Sequence, residues 1–296
     1  MCWESELIEV YLNVCEMWDQ GVWSSVQRFS NNKRQILTDQ EIMTMYIFGC
    51  IRGYSEIKQI YEFCHSFLKS FFPHLKGYDS FCYRLRILSD GFISLCEKLV
   101  NKMDKQFASS SRKLIDSMPI VLAKTKRSNQ AKVAPELANK GYCASKSMYY
   151  YGVKLHILGH DRDGKMPMPT MIGLSPASSH DQPVFEQVAG ELFGCDVFGD
   201  SAFKDQSFNL NLKEENQVQV VTPAKRKKGQ AKLDSADQLY STAVAQIRQP
   251  IESIFSWIQR KTQIQSGSTI RSRKGLIVHT FGKICAGLMM MNMHKI

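Results

Sequence analysis

Three acidic residues in the second half of the sequence stand where carboxylates are unusual. Asp116 interrupts the apolar run 113–118, Asp200 follows the apolar pair 197–198, and Glu252 lies on a segment with strong helical periodicity. An aspartate in a buried strand is unfavourable unless a positive charge lies beside it. Hard divalent cations prefer oxygen ligands, and clusters of carboxylates supply them. We therefore predict that Asp116, Asp200 and Glu252 bind metal together.

Each of these carboxylates also has a simpler explanation. A single aspartate in or after a strand is usually a turn or cap residue, which would account for Asp116 and Asp200 separately. Glu252 follows Arg248 by one helical turn, so the two could form an ordinary ion pair on the helix surface. From the residues alone, the ion pair and the metal ligand remain about equally supported for Glu252.

The elements that must position these residues begin after the small polar stretch 108–112, which we interpret as a linker. Alternating apolar residues over 151–157, a turn at 163–164 and the apolar run 168–174 predict a hairpin whose first strand is half-buried. His156, on the polar side of that strand, is expected to face solvent. The sequence then predicts, in order, a helix from Asp181, a strand over 196–198, a helix over 207–215 and a strand over 218–221. Strands that form a meander and then alternate with helices indicate a mixed α/β sheet covered by helices.

Glu252 lies at the border of an apolar helical stripe. At ~100° per residue, the stripe centred on Ile251 takes in Val244, Ile247, Ile254, Phe255 and Ile258. A carboxylate at the border of the stripe could reach the open end of the sheet. Pro250 lacks the backbone donor that a helix interior needs, so the helix is expected either to begin there or to kink.

The first 107 residues have a helical pattern throughout. The sequence TDQE at 38–41 is a capping box, and helices are predicted after it, from Ile57 and from Tyr78. A helix, a turn and a basic helix in this order suggest helix-turn-helix DNA binding, with Arg84 and Arg86 as the contacts. An all-helical scaffold with solvated arginines fits the same pattern. We predict a helical domain over 1–107 and an α/β domain over 108–296.

The charge balance favours a polyanionic partner. The chain has 296 residues and a formal net charge of +10, which points to nucleic acid ahead of a membrane surface. Basic residues between and beyond the acidic positions are candidate DNA contacts: Lys225, Arg226, Lys227, Lys228, Arg248, Arg271 and Arg273. They would offset the repulsion between the carboxylates and DNA phosphates, and binding would depend strongly on salt. Runs of charge are, however, often only solvated surface.

Several classes of protein are disfavoured. The nine cysteines form no CxxC pair, no histidine and cysteine group has zinc spacing, and no glycine loop ends in GK[ST]. The first residues lack the features of a secretory signal, so a cytoplasmic protein is expected. The most apolar window, 276–293, contains His279 and Lys283, which are costly in lipid, so a buried C-terminal helix fits better than a membrane span.

Four stretches together resemble a known family, the DDE insertion-sequence transposases of prokaryotic mobile elements. They are LIDSMP at 114–119, YYGVKLH at 150–156, GDSAF at 199–203 and RQPIESIFS at 248–256. The most similar group within the family is the one numbered nine hundred and eighty-two. The chain departs from related transposases at Ala245, where they carry a tyrosine three residues before the arginine.

The resemblance implies a ribonuclease H-like catalytic domain with Asp116, Asp200 and Glu252 as the catalytic triad. It implies two Mg²⁺ ions, replaceable by Mn²⁺, that these residues bind for phosphoryl transfer on DNA. It also implies double-stranded DNA partners, namely the terminal inverted repeats of the element and the target, and a homo-oligomer assembled on DNA in a prokaryotic cytoplasm. Two alternatives remain, a metal-dependent nuclease of the same fold that does not join strands and a DNA-binding protein without catalysis.

Overall fold

A computed structural model describes residues 2–26, 35–107, 111–226, 229–230 and 232–293. Most of the predicted linker, 108–110, lies outside the described residues. Five helices precede the sheet: α1 Trp3–Asp19, α2 Asp39–Ile51, α3 Ile57–Phe67, α4 Tyr78–Ile87 and α5 Ser89–Phe107. The six strands are β1 Arg112–Lys124, β2 Asn139–Cys143, β3 Met148–His160, β4 Met168–Pro176, β5 Asp196–Phe198 and β6 Gln219–Val221. The later helices are α6 Asp181–Ala189, α7 Gln206–Asn216, α8 Ser235–Thr262, α9 Arg273–Ile277 and α10 Lys283–Met293. The fold is mixed α/β, as the sequence predicts.

The predicted capping box begins α2. The backbone N–H of Glu41 donates to Thr38 Oγ1 at 3.2 Å, and the Thr38 N–H donates back to the Glu41 carboxylate. These two bonds satisfy donors that the first turn of a helix otherwise leaves unpaired. The helix that follows is buried around most of its circumference, so it forms the centre of the helical region.

The sheet runs in the order β2-β3-β1-β5-β6, and β4 also pairs with β3. The pairings of β3 with β1, β2 and β4 are antiparallel, whereas β1 with β5 and β5 with β6 are parallel. The helices α6 and α7 pack with one apolar cluster of the sheet, and α8 belongs to the other. Both faces of the sheet are therefore covered.

The strand β3 differs from the prediction, because it is buried on both sides. His156 is only 6% exposed and bonds Ser175 Oγ through Nε2 at 2.7 Å. Burial lowers the pKa of His156 to about 4. The expectation that His156 faces solvent is wrong, since Asp181 at the start of α6 and Ser175 of the neighbouring strand β4 both lie against its ring.

The long helix α8 has the predicted apolar stripe. Val244, Ile251, Ile254, Phe255 and Ile258 are buried, and Ile247 is packed at the margin of the core. Pro250 lies inside the helix, which continues on both sides of it, so the helix does not begin at the proline.

The C-terminal segment is a core element, as predicted. Arg273–Met293 is long and apolar enough to cross a membrane by length and composition, but 89% of its apolar 18-residue window is buried inside the protein. His279 bonds the Ile264 carbonyl at 2.7 Å, and burial lowers its pKa to about 3. Burial also lowers the pKa of Lys283 to about 8. The helix α10 packs on α2 and α5, so the end of the chain returns to the N-terminal helices. The division at residue 107 stays a prediction.

Candidate active site

Asp116 and Asp200 come from neighbouring parallel strands. Leu114 of β1 pairs with Phe198 of β5, and each aspartate follows its strand's member of this pair by two residues. Side chains two residues apart point to the same face of a strand, and paired strands lie about 5 Å apart. The register therefore brings the carboxylates of Asp116 and Asp200 to the same face of the sheet, near the C-terminal end of β5. In agreement, the charge of Asp200 is one of the causes that raise the pKa of Asp116.

Arg248 joins Asp116 to Glu252. Its Nη1 lies 2.7 Å from Asp116 Oδ2, and its Nη2 lies 2.7 Å from Glu252 Oε1. The planar guanidinium is suited to hold two carboxylates at once. The ion pair that the sequence suggested between Arg248 and Glu252 is thus present, together with a second pair across 132 residues of sequence.

Burial dominates the electrostatics of Asp116. Its side chain is 20% exposed, and desolvation raises its pKa from 3.8 to about 6. Arg248 and the Ser117 N–H, which donates to Oδ1 at 2.8 Å, oppose this shift without cancelling it. Ionised Asp116 therefore destabilises the folded protein relative to its protonated form. A further cation beside the carboxylate would lower the free energy of the ionised form.

Asp200 and Glu252 are more accessible. Asp200 begins the short 3₁₀ turn Ser201–Phe203 and accepts from the Ala202 N–H at 2.7 Å through one oxygen. Glu252 is 58% exposed. Both keep carboxylate oxygens that could bind a metal or a proton donor.

The donor set fits a hard divalent cation, since it consists of carboxylates beside a buried, costly anion. The arrangement is not a ready-made metal cluster, however. Among the residues that the structure describes, no group of three or more His, Cys, Asp or Glu side chains is placed to hold a metal ion. The Arg248 guanidinium lies between Asp116 and Glu252 instead, so a metal would have to compete with it.

A second polar group lies on the other face of β1 and is absent from the sequence predictions. Asp181, the first residue of α6, accepts from Ser117 Oγ at 3.1 Å and from Lys154 Nζ at 3.0 Å. His156 Nδ1 is 3.9 Å from the same oxygen. Since Asp116 and Ser117 are consecutive in a strand, their side chains leave on opposite faces. The sequence placed Asp181 at the start of a helix but gave no sign of this polar group. Its partners Lys154 and Ser117 are 27 and 64 residues away along the chain.

The predicted DNA contacts divide into two groups. Arg84 is bound within the protein, where it donates to Asp39 at 2.6 Å and to Gln35 at 2.8 Å and is only 14% exposed. It fastens α4 to the start of α2, which leaves Arg86 as the exposed arginine of the predicted pair. The other exposed candidates are Lys225, Arg226, Arg271 and Arg273. Lys227 and Lys228 lie outside the described residues.

Comparison with known proteins agrees with this geometry. Residues 108–286, more than half of the chain, match the family model described as a transposase DDE domain. The matched range contains all three carboxylates, Arg248 and the entire sheet. No curated protein matches the chain. The chain belongs to the family of transposase DDE domains.

Proposed function

We propose that this chain is the transposase of an insertion sequence, which binds the ends of its element, cleaves the DNA there and joins the 3′ ends to target DNA. The observation that carries the proposal is that a transposase DDE domain brings the charge of Asp200 to Asp116 and links Asp116 to Glu252 through Arg248. The phosphoryl transfers use oxygen nucleophiles and need no covalent protein intermediate.

The strand order supports a ribonuclease H-like assignment of the catalytic domain. Three antiparallel strands, β4, β3 and β1, are followed by the parallel strands β5 and β6. The first acid is on β1, the second follows the strand beside it, and the glutamate is on the later helix α8. The family resemblance leads us to expect the second acid after the fourth strand. Here it follows the fifth, β5, because β2 is an additional strand at the edge of the sheet.

Asp116, Asp200 and Glu252 would hold Mg²⁺. The bound metal would supply positive charge and Lewis acidity at the scissile phosphate. In the protein itself, Arg248 supplies the positive charge that Asp116 and Glu252 share. Mg²⁺ and the Arg248 guanidinium compete for the same carboxylate oxygens. When Mg²⁺ is bound, we therefore expect Arg248 to be available to another anion, such as a DNA phosphate.

The basic residues would bring DNA to the three carboxylates. Lys225 and Arg226 belong to the loop between β6 and α8, and this loop is fastened to α8 by the bond from the Ala224 N–H to Ser241 Oγ at 3.1 Å. Arg271 and Arg273 follow α8. Contacts of this kind depend on the release of counterions, so affinity should fall steeply with salt. We place the assembly in the cytoplasm of a prokaryotic cell, as a homo-oligomer on double-stranded DNA.

One observation favours a second candidate, a DNA-binding protein without catalysis. Arg248 already pairs with two of the three carboxylates, and these ion pairs could be purely structural. A nuclease of the same fold that never joins strands is a variant of the first proposal. A strand-joining assay distinguishes the nuclease from the transposase. Metal-dependent cleavage distinguishes both enzymes from the DNA-binding protein without catalysis.

The test uses the complete chain with DNA that contains the ends of the inverted repeats flanking its gene, in Mg²⁺ and in EDTA. The proposal predicts end cleavage and strand joining that require the metal. Asp116→Asn, Asp200→Asn and Glu252→Gln should each reduce both activities by orders of magnitude. Asp196→Asn, an exposed acid on β5, is the matched control and should retain them. Cleavage without joining would favour the nuclease, and DNA binding without either activity would favour the second candidate.

A further inference from the structure

The tip of the β2–β3 hairpin carries two exposed tyrosines that no role so far explains. Tyr142 and Tyr149 face each other across the strands, with ring centroids 5.0 Å apart and planes inclined by 55°. They are 52% and 57% exposed. Lys140 Nζ lies 4.7 Å from the centre of the Tyr149 ring. We call Lys140, Tyr142 and Tyr149 the tyrosine platform.

The platform is held in a fixed position on the sheet. A Cβ at Gly141 would lie 2.2 Å from the Ala177 carbonyl oxygen, and one at Gly152 would lie 2.0 Å from that of Ile120. These close approaches pack β2 and β3 tightly against neighbouring backbone. Asn139 adds a bond from its Nδ2 to Ser178 Oγ at 2.7 Å and accepts from the Ser178 N–H at 2.9 Å. The rings are therefore presented by a rigid hairpin.

The stretch of sequence that contains the platform carries a strong positive charge. Residues 117–160 contain seven Lys and Arg residues and one acidic residue, Glu136, so this segment alone contributes 7 − 1 = +6 to the chain's net +10. The exposed members are Lys124, Lys126, Arg127, Lys132, Lys140 and Lys146. Such a surface repels an identical surface on a second copy and attracts a polyanion.

The platform is also connected to the candidate active site. Lys146 Nζ donates to Gln265 Oε1 at 2.8 Å, and Gln265 Nε2 is 3.6 Å from Met118 Sδ. Met118 lies two residues after Asp116 on β1 and points to the same face. Tyr150 pairs with Lys124, so the platform lies about 25 Å from Asp116 along β1. A DNA strand that runs from the carboxylates toward the C-terminal end of β1 would reach the hairpin after that distance.

We propose that the tyrosine platform binds an unpaired base of the DNA that runs from the active site along β1, with the hairpin lysines Lys140 and Lys146 on the adjoining phosphates. Bases inside a duplex are stacked on each other, so the exposed rings can receive only a base that has left the helix or lies in a single-stranded end. Stacking of bases on aromatic side chains tolerates any sequence and is common where proteins bind single strands. Lysine beside the rings adds charge for the phosphates. This inference rests on the proposed function, because it assumes a DNA substrate.

The test compares binding of the complete protein to a blunt duplex and to the same duplex with a short 3′ overhang that carries 2-aminopurine. The wild type should bind the overhang about tenfold more tightly and quench the fluorescent base through stacking. Tyr142→Ala with Tyr149→Ala should remove both effects and retain the affinity for blunt duplex. The double leucine variant, which keeps apolar bulk on the hairpin without aromatic rings, should do the same. Phe193→Ala removes an aromatic residue that is 70% exposed elsewhere on the protein and should change neither.

The outcomes separate the two proposals. Binding of both DNAs with equal affinity, or quenching that survives both double variants, would overturn the platform and leave the proposed function standing. Failure to bind either DNA would overturn both. Loss of self-association in the double variants, with no change in binding to the overhang, would also overturn the inference, because it would make the platform an interface between copies.

Discussion

Replacing Asp116 by asparagine should stabilise the protein while it abolishes activity. The side chain is mostly buried, and its pKa of about 6 lies above the ordinary 3.8, so the folded state binds the proton more tightly than the unfolded state. Ionisation therefore costs stability, a cost that is absent below pH 4 and complete above the folded pKa. The difference between 3.8 and about 6 corresponds to about 3 kcal/mol. Asparagine has nearly the same shape and no charge to desolvate.

The assay is urea denaturation of the metal-free protein at two pH values. In EDTA at pH 7.5, Asp116→Asn should be more stable than the wild type by about 1 to 3 kcal/mol, and the advantage should shrink at pH 5. The lost contact with Arg248 sets the lower end of this range, since that guanidinium would keep only Glu252 as a charged partner. Asp196→Asn, at an exposed position, should stay within about 0.5 kcal/mol of the wild type.

A variant that is less stable than the wild type at pH 7.5 would refute the reasoning. It would mean that the pair with Arg248 contributes more to stability than burial of the Asp116 carboxylate costs. Added Mg²⁺ gives a second reading, because a ligand that binds only the folded state raises its stability. That stabilisation should be seen for the wild type and be absent from Asp116→Asn.

Three further substitutions test other parts of the structure. Glu252→Gln removes an exposed ion pair worth about 0.3 to 0.5 kcal/mol, so the melting temperature of the variant should barely change. Its cleavage and joining activities should fall by orders of magnitude. Parental activity in Mg²⁺ would show that Glu252 is only the ion-pair partner of Arg248. Arg84→Ala removes a guanidinium that pairs with buried Asp39 and should cost about 3 kcal/mol in urea denaturation. Arg86→Ala should be nearly neutral in stability and weaken DNA binding, and equal stability losses in the two variants would contradict the assignment. Lys283→Met should raise the free energy of unfolding at pH 7 by about 3 kcal/mol, because burial lowers the lysine pKa from 10.5 to about 8. This gain in stability should disappear as the pH rises from 8 through 10.5.

Local signals in the sequence were sufficient for most of the elements. The apolar stripe of α8 follows from the helical period around Ile251, and the capping box at Thr38 places the start of α2. The strand β5 is found at the predicted residues 196–198. In each case the pattern is contained within a few turns or one strand, so no knowledge of the tertiary structure is needed.

Features that depend on distant residues could not be predicted. Arg248 has its expected partner one turn away, but its second partner, Asp116, is 132 residues distant. Arg84 is predicted by its pattern to be exposed but is largely shielded from solvent, because Asp39 and Gln35 come to it from another helix and the segment before that helix. His156 alternates with apolar residues as a surface residue does, yet it is buried against Ser175 of β4 and Asp181 of α6. Periodicity shows which side of an element is polar, but not whether another element will pack on that side.

The return of the C-terminal helix to the N-terminal helices has a consequence for synthesis of the protein. The helix α10 packs on α2 and α5, and Cys285 on α10 points its thiol at the Phe92 carbonyl, 3.7 Å away. The first helices emerge from the ribosome with apolar surfaces that only the last residues of the chain will cover. A nascent or prematurely terminated chain that ends before residue 273 would keep those surfaces exposed and would be a target for chaperones and proteases. Only chains that include α10 would then bury the apolar surfaces of α2 and α5.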